Sequence, residues 1–242
     1  MRLLFIRHAD PDYEHDSLTA IGKEEAIALA SFLCKESIDC IYCSPLGRAK
    51  ETMEAYLKES NHRLSPVTKD WLREFDAEVK HDGRNNAWDF LPLTLEKAGD
   101  DAYSLNKYLY SVEEYRESDF KDKYLRVCKG LDELLSSNGY VRENHHYKVI
   151  DGNRKTLAFF CHFGVTSMMV SHLLNTSPIN IAQYFCAAPS SITTLYSEER
   201  REGIAQWRLT SFGDTSHLAL KGLKPSFSGR FSETFLDPRR HD

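Results

Sequence analysis

The sequence predicts an α/β fold with a largely parallel sheet and an inserted lid region. Three observations predict it. Short apolar runs alternate with stretches whose apolar residues recur at helical spacing. The runs are strand-length and bounded by turn residues. Three of them end abruptly on residues able to do chemistry. The chain has 242 residues, 41% hydrophobic and 28% charged, which suits one large domain over residues 1–242.

The elements follow in order. "RLLFIR" at 2–7 reads as a short buried strand and "DYEHDS" as a polar loop. "LTAIGKEEAIALASFLCKE" places Ala26, Leu29, Ala30 and Leu33 on one helical face, with Thr19 as N-cap. "CIYC" is a strand. "SPLGRAKETMEAYLKES" is a helix that Ser44 is expected to cap, with Pro45 in its first turn. Residues from about 75 to 125 break the rhythm and read as a lid. "KYLRVCKGLDELLSS" is an amphipathic helix stopped near Asn138-Gly139. "HHYKVI" and "KTLAFFC" flank "DGNR", which predicts a hairpin. "GVTSMMVSHLLN" is a helix, and "SSITTLYSEERREGIAQWRLTSF" is two strands around a polar turn. A peripheral tail is expected over about 221–242, where Phe227, Phe231 and Phe235 suit a short docking helix.

Composition narrows the function. A net charge of −5 argues against a general nucleic-acid binder but leaves room for a local basic pocket. No segment approaches the roughly 18 apolar residues of a membrane helix. No leader pattern opens the chain, so a cytoplasmic location is expected. Six cysteines include one CxxC pair, Cys40 and Cys43; without a second pair, reduced and mostly buried thiols are expected rather than a zinc site. His145-His146 lacks companion ligands and reads as a solvated strand start.

The strand ends carry the chemistry. The first strand finishes in Arg7-His8, "CIYC" leads to Arg48, and "TLAFFC" leads to His162. Ligands gather outside the carboxyl ends of strands in open α/β sheets. Two arginines and two histidines brought there suit a phosphate, because guanidinium pairs bidentately with phosphoryl oxygens. A neutral imidazole there is a competent nucleophile toward phosphorus. An alcohol leaving group then needs a proton from a carboxylic acid.

"RHADPDY", "LTAIGKEEA", "SPLGRAKET", "WLREFD", "CHFG" and "GDTSHL" occur in the order of the histidine phosphatase superfamily, which includes the phosphoglycerate mutase-like enzymes. The resemblance spans roughly 2–75 and 155–218. It implies a three-layer α/β/α sandwich with a mostly parallel central sheet, and a phosphohistidine mechanism on a small phosphorylated substrate, with no metal and no cofactor. It makes His8 the nucleophile and Arg7 and Arg48 the phosphate ligands. His162 contacts the phosphate, Glu74 is the proton donor, and Ser44 and Phe163 shape the pocket. Thr19, Gly22 and His217 match structural positions. Ala9 stands where relatives usually have Gly, and Phe163 interrupts a His-Gly motif. The leading expectation is a metal-independent phosphomonoesterase. The alternatives are a phosphoglycerate mutase and a non-catalytic phosphate-binding module. Lys80, His81 and Arg84 are candidates for a second anionic group, against a solvated loop. Tyr103, Tyr108, Tyr110 and Tyr115 are candidates for the pocket lining or lid packing. A homo-oligomer is left open by the sequence.

Overall fold

A run such as Leu3–Ile6 has no polar face, so it is stable only when covered on both sides. Arg2–Arg7 (β1) is accordingly near the centre of an eight-stranded sheet. The computed structural model describes residues 1–81, 84–87, 95–96, 99–100, 104, 113–226, 228, 232–237 and 239. The further strands are Pro11–Asp12 (β2), Ser17–Leu18 (β3), Cys40–Cys43 (β4), Val67–Thr68 (β5), Glu78–His81 (β6), Arg84–Asn86 (β7), Tyr140–Glu143 (β8), His146–Val149 (β9), Thr156–Cys161 (β10), Ile192–Arg201 (β11) and Ile204–Asp214 (β12). The helices are Ala20–Leu33 (α1), Gly47–Glu59 (α2), Glu113–Arg116 (α3), Phe120–Ser136 (α4), Phe163–Leu174 (α5), Pro178–Tyr184 (α6) and Ser216–Ala219 (α7).

The sheet order is β5-β4-β10-β1-β11-β12-β9-β8. The strands β5, β4, β10 and β1 are mutually parallel, and the remaining four extend the sheet by antiparallel pairs. Six of the eight strands run in one direction as a result. Alternation along β1 divides the core in two. Leu4 and Ile6 join Leu29 and Leu33 of α1 and Met53 and Tyr56 of α2. Leu3 and Phe5 join Leu131 and Leu135 of α4 and Val165 and Met169 of α5. These are the three expected layers.

Local chemistry sets the helix starts. Thr19 Oγ1 accepts from Gly22 N at 3.0 Å and so caps α1. A Cβ on Gly22 would sit 2.2 Å from the Asp10 carbonyl oxygen, so only glycine lets this turn meet the chain after β1. At α2 the expectation fails: the N-cap position is Leu46, and Ser44 lies before it. The Ser44 hydroxyl instead accepts from Leu46 N at 3.2 Å and serves the site described below.

The predicted hairpin at "DGNR" is also corrected. Strand β9 pairs with β8 and β12, while β10 lies between β4 and β1. The hairpin is β8–β9, turning at Asn144 with φ 54°. "DGNR" only links β9 to the other half of the sheet. Helix α6 was not legible; Ser177 caps it and Pro178 opens it. The hairpin β11–β12 forms as expected.

In the expected lid, β6 and β7 pair, and Tyr115 donates to the Ala87 carbonyl at 2.8 Å while its ring stacks on Phe120. Val79, Ala87, Tyr115 and Phe120 belong to the same apolar cluster as Leu3 and Phe5. Tyr115 is therefore a packing residue. Lys80 is exposed. Tyr103, Tyr108 and Tyr110, the side chains of His81 and Arg84, and Phe227 and Phe231 lie outside the described residues. Phe235 is fully exposed, and no helix follows α7 among the described residues. All six cysteines are free; Cys43, Cys128 and Cys161 are buried, but Cys34 and Cys186 are exposed and Cys40 is half-buried, so the thiols are less buried than expected. No helix among the described residues is long and apolar enough to cross a membrane.

Candidate active site

Register brings the site together. Arg7 pairs with Cys161, and Phe160 with Cys43, across three adjacent parallel strands. The next residues, His8, His162 and Ser44, therefore emerge side by side at the carboxyl edge. The ladder continues one step into them: His8 N donates to Cys161 O and Ser44 N to Phe160 O, both at 2.9 Å. The two imidazole centroids are 5.0 Å apart.

His8 is buried, and its Nδ1 lies 2.8 Å from the Ala9 carbonyl oxygen. A carbonyl only accepts, so Nδ1 carries the proton and Nε2 keeps a bare lone pair. Burial, reinforced by the Arg7 charge, pushes the His8 pKa down to about 3. The ring is neutral at neutral pH. His162 is fully buried and its Nε2 is 2.8 Å from Ser44 Oγ. Ser44 Oγ accepts from Leu46 with one lone pair and keeps a hydrogen and a second lone pair, so it can meet His162 Nε2 as donor or acceptor; when it donates, the His162 proton is on Nδ1. That Nδ1 is buried with no hydrogen-bond partner. Burial, and then interaction with His8 and the charges of Arg48 and Arg7, hold the His162 pKa well below the ordinary value.

The arginines are each anchored by one end and idle at the other. Arg7 Nη1 donates to Ala187 O at 2.6 Å and to Ser228 O at 3.2 Å. Arg48 Nη1 donates to Asp16 Oδ1 at 2.6 Å, and its guanidinium lies 5.4 Å from the Tyr13 ring centroid. Both side chains are mostly buried, and the Nε atom of each is buried without a partner. Two buried cations with unused N–H edges beside a bare imidazole nitrogen are suited to an anion.

Glu74 follows the 3₁₀ turn Asp70–Leu72. Its Oε1 accepts from Phe75 N at 2.8 Å and from Val165 N at 3.3 Å. Val165 lies in the first turn of α5, so the carboxyl is tied to the helix that follows His162. Burial raises its pKa against the opposing Phe75 N–H and the Arg7 and Arg48 charges. A carboxyl whose pKa is raised is suited to proton donation.

The structure thus gathers Arg7, His8, Ser44, Arg48, Glu74 and His162. Phe163 opens α5, and no described contact ties its side chain to the arginines or histidines. Ala9 is fully buried and its N–H donates to Thr52 Oγ1 at 3.0 Å, so the site tolerates alanine there without positive φ. His217 is buried and pairs with Ser190 Oγ at 3.0 Å, and Ser190 N donates to the His8 carbonyl at 3.0 Å. Asp12 is occupied by His15. No group of three or more His, Cys, Asp or Glu that could hold a metal occurs among the described residues.

Sequence reasoning missed Asp16 and Ser228. Asp16 has φ 48° and bonds both Gly47 N and Arg48. An acid in a polar loop gave no signal beyond the tolerance of Asp for that conformation.

The family model for the histidine phosphatase superfamily (branch 1) matches residues 3–139. No curated protein matches the sequence. Among solved structures, a mycobacterial glucosyl-3-phosphoglycerate phosphatase in complex with VO3 superposes with TM-score 0.59 at 20% identity, covering 88% of this chain and 99% of that one. A phosphoserine phosphatase mutant from Entamoeba histolytica, in complex with phosphoserine, gives 0.57 at 21% identity, covering 90% and 98%. The alpha-ribazole phosphatase from Shigella flexneri gives 0.54 at 21%, covering 86% and 95%.

Proposed function

We propose that this chain, which belongs to the histidine phosphatase superfamily, hydrolyses the phosphomonoester of a small metabolite through a phosphohistidine on His8, without a metal. The observation that supports this most is the His8–Ala9 hydrogen bond, which leaves Nε2 unprotonated in a pocket of two half-used guanidinium groups.

The idle edges of Arg7 and Arg48 take the phosphoryl oxygens, and His162 Nδ1–H, oriented by Ser44, adds a donor. Nε2 attacks phosphorus in line. The P–O ester bond breaks, and the leaving oxygen takes the proton of Glu74. The ring proton stays on Nδ1 throughout. Water then attacks phosphorus, gives its proton to Glu74, and the P–N bond breaks to release inorganic phosphate. Charge on the equatorial oxygens is met by fixed donors rather than by reorganising water. The similar structures named above are phosphatases of phosphorylated small molecules, which supports the substrate class.

The test is phosphate release from a panel of phosphomonoesters with EDTA present, for wild type and His8→Ala. Release that survives EDTA and disappears in the variant is expected. Near-native release by His8→Ala sinks the mechanism. Isomerisation of phosphoglycerates faster than phosphate release would assign a mutase instead.

A further inference from the structure

We propose that the segment after α7 is a working part of this site, and that Ser228 is a positioning residue for Arg7. This rests on the reading of Arg7 as a phosphate ligand.

A terminal guanidinium nitrogen has two hydrogens. On Arg7 Nη1 both are used, one by Ala187 O at 2.6 Å and one by Ser228 O at 3.2 Å. Carbonyls orient the group without neutralising it. With that nitrogen pinned from two sides, the plane and rotation of the guanidinium are fixed. The buried, unpartnered Nε then lies on the opposite edge, where a fork for two phosphoryl oxygens is available.

Ser228 is itself held. Its Oγ donates to Asp10 Oδ1 at 2.9 Å. Asp10 Oδ2 accepts from the capping hydroxyl of Thr19 at 2.8 Å. Asp10 N donates to Glu25 Oε2 at 2.9 Å, and the other Glu25 oxygen accepts from Ser226 N at 3.1 Å. The strap is thus stitched through Asp10 and the buried Glu25 to the first turns of α1. Asp10, two residues after the nucleophile, is committed to this anchoring. The strap also helps keep Arg7 only 6% exposed, which strengthens its pairing with an anion. Ser226 and Ser228, within the expected tail, are thus tied to α1 and to Arg7.

The experiment compares wild type, full-length Ser228→Ala and a chain ending at Leu223. It reads inorganic phosphate affinity by calorimetry and steady-state kinetics on p-nitrophenyl phosphate. The shortened chain is expected to lose about tenfold in phosphate affinity and to raise KM to match, with kcat changed much less, because a hydrogen bond that orients a charged ligand is removed. Ser228→Ala, which keeps the carbonyl but loses the Asp10 anchor, is expected to cost roughly threefold. Unchanged affinity in both variants overturns the proposal, as does a rise in kcat/KM, which would make the strap an inhibitory plug. If the shortened chain does not fold, Ser228→Ala alone decides. A wild type that binds no phosphate fails the phosphatase reading itself.

Discussion

Asp16 grips Arg48 and its helix at once: Oδ1 accepts from Arg48 Nη1 and Oδ2 from Gly47 N, each at 2.6 Å. Gly47 permits this, since a Cβ there would meet the Asp16 carbonyl oxygen at 2.0 Å. Burial pushes the Asp16 carboxyl up, but the Gly47 N–H and the Arg48 guanidinium outweigh it and hold its pKa below the ordinary value. Its depressed pKa stabilises the fold above the unfolded carboxyl pKa, and that help is lost as pH falls through the folded value.

Asp16→Ala should therefore loosen Arg48. KM for a phosphomonoester is expected to rise about tenfold or more, from losing a charged hydrogen bond, with kcat falling less. Asp16→Asn retains an acceptor and should lie between. A KM unchanged in both variants would remove Asp16 from the positioning role.

Glu74→Gln should lower kcat by about 10²–10⁴-fold on alkyl phosphates, whose leaving oxygen needs a proton. On p-nitrophenyl phosphate, a good leaving group, the first step should fall far less. Because burial raises the Glu74 pKa, kcat on alkyl phosphates should decline as pH rises through it. Equal losses on both substrates would argue against proton donation.

Buried histidines should make the fold acid-sensitive. Burial pushes His217 down to about 4 and His8 to about 3, from 6.5 in the unfolded chain. Between those values the unfolded state binds more protons, so stability is full above about pH 6.5 and drains as pH falls. His217→Gln can still bond Ser190 but cannot titrate. In urea unfolding, wild type should lose up to about 2 kcal/mol more than this variant between pH 7 and pH 5. Equal losses would mean that His217 is not buried neutral.

Gly22→Ala should destabilise by roughly 1–3 kcal/mol through overpacking against the Asp10 backbone. Activity should fall with it, because Asp10 follows His8 directly through Ala9. Thermal unfolding of the purified variant checks this, and a wild-type melting temperature would contradict the close approach.

Much of the site was legible because strands announce their own ends. An apolar run that stops on Arg7-His8 or on His162 marks the sheet edge where a ligand sits, and those residues do converge. Glu74 was legible only by resemblance, since nothing local distinguishes it from Asp76. What escaped depends on distant pairing. The "DGNR" error arose because β9 finds β12 rather than its sequence neighbour β10. Ser44 looked like a cap because Ser-Pro opens many helices, yet the N-cap lies two residues later at Leu46, which frees the Ser44 hydroxyl for His162. Asp16 and Ser228 act through contacts 32 and 221 residues away in sequence, which no periodicity reports.

The central position of β1 has a consequence for synthesis. Its two edges are covered by residues 156–161 and 192–196. At about 5–20 residues per second, a ribosome needs on the order of ten seconds to deliver them. For that time the nascent chain presents an apolar strand with both hydrogen-bonding edges open, the arrangement most prone to pair with another chain. The placement that brings Arg7 and His8 to the sheet edge also leaves this strand without its partners until the second half of the chain has emerged.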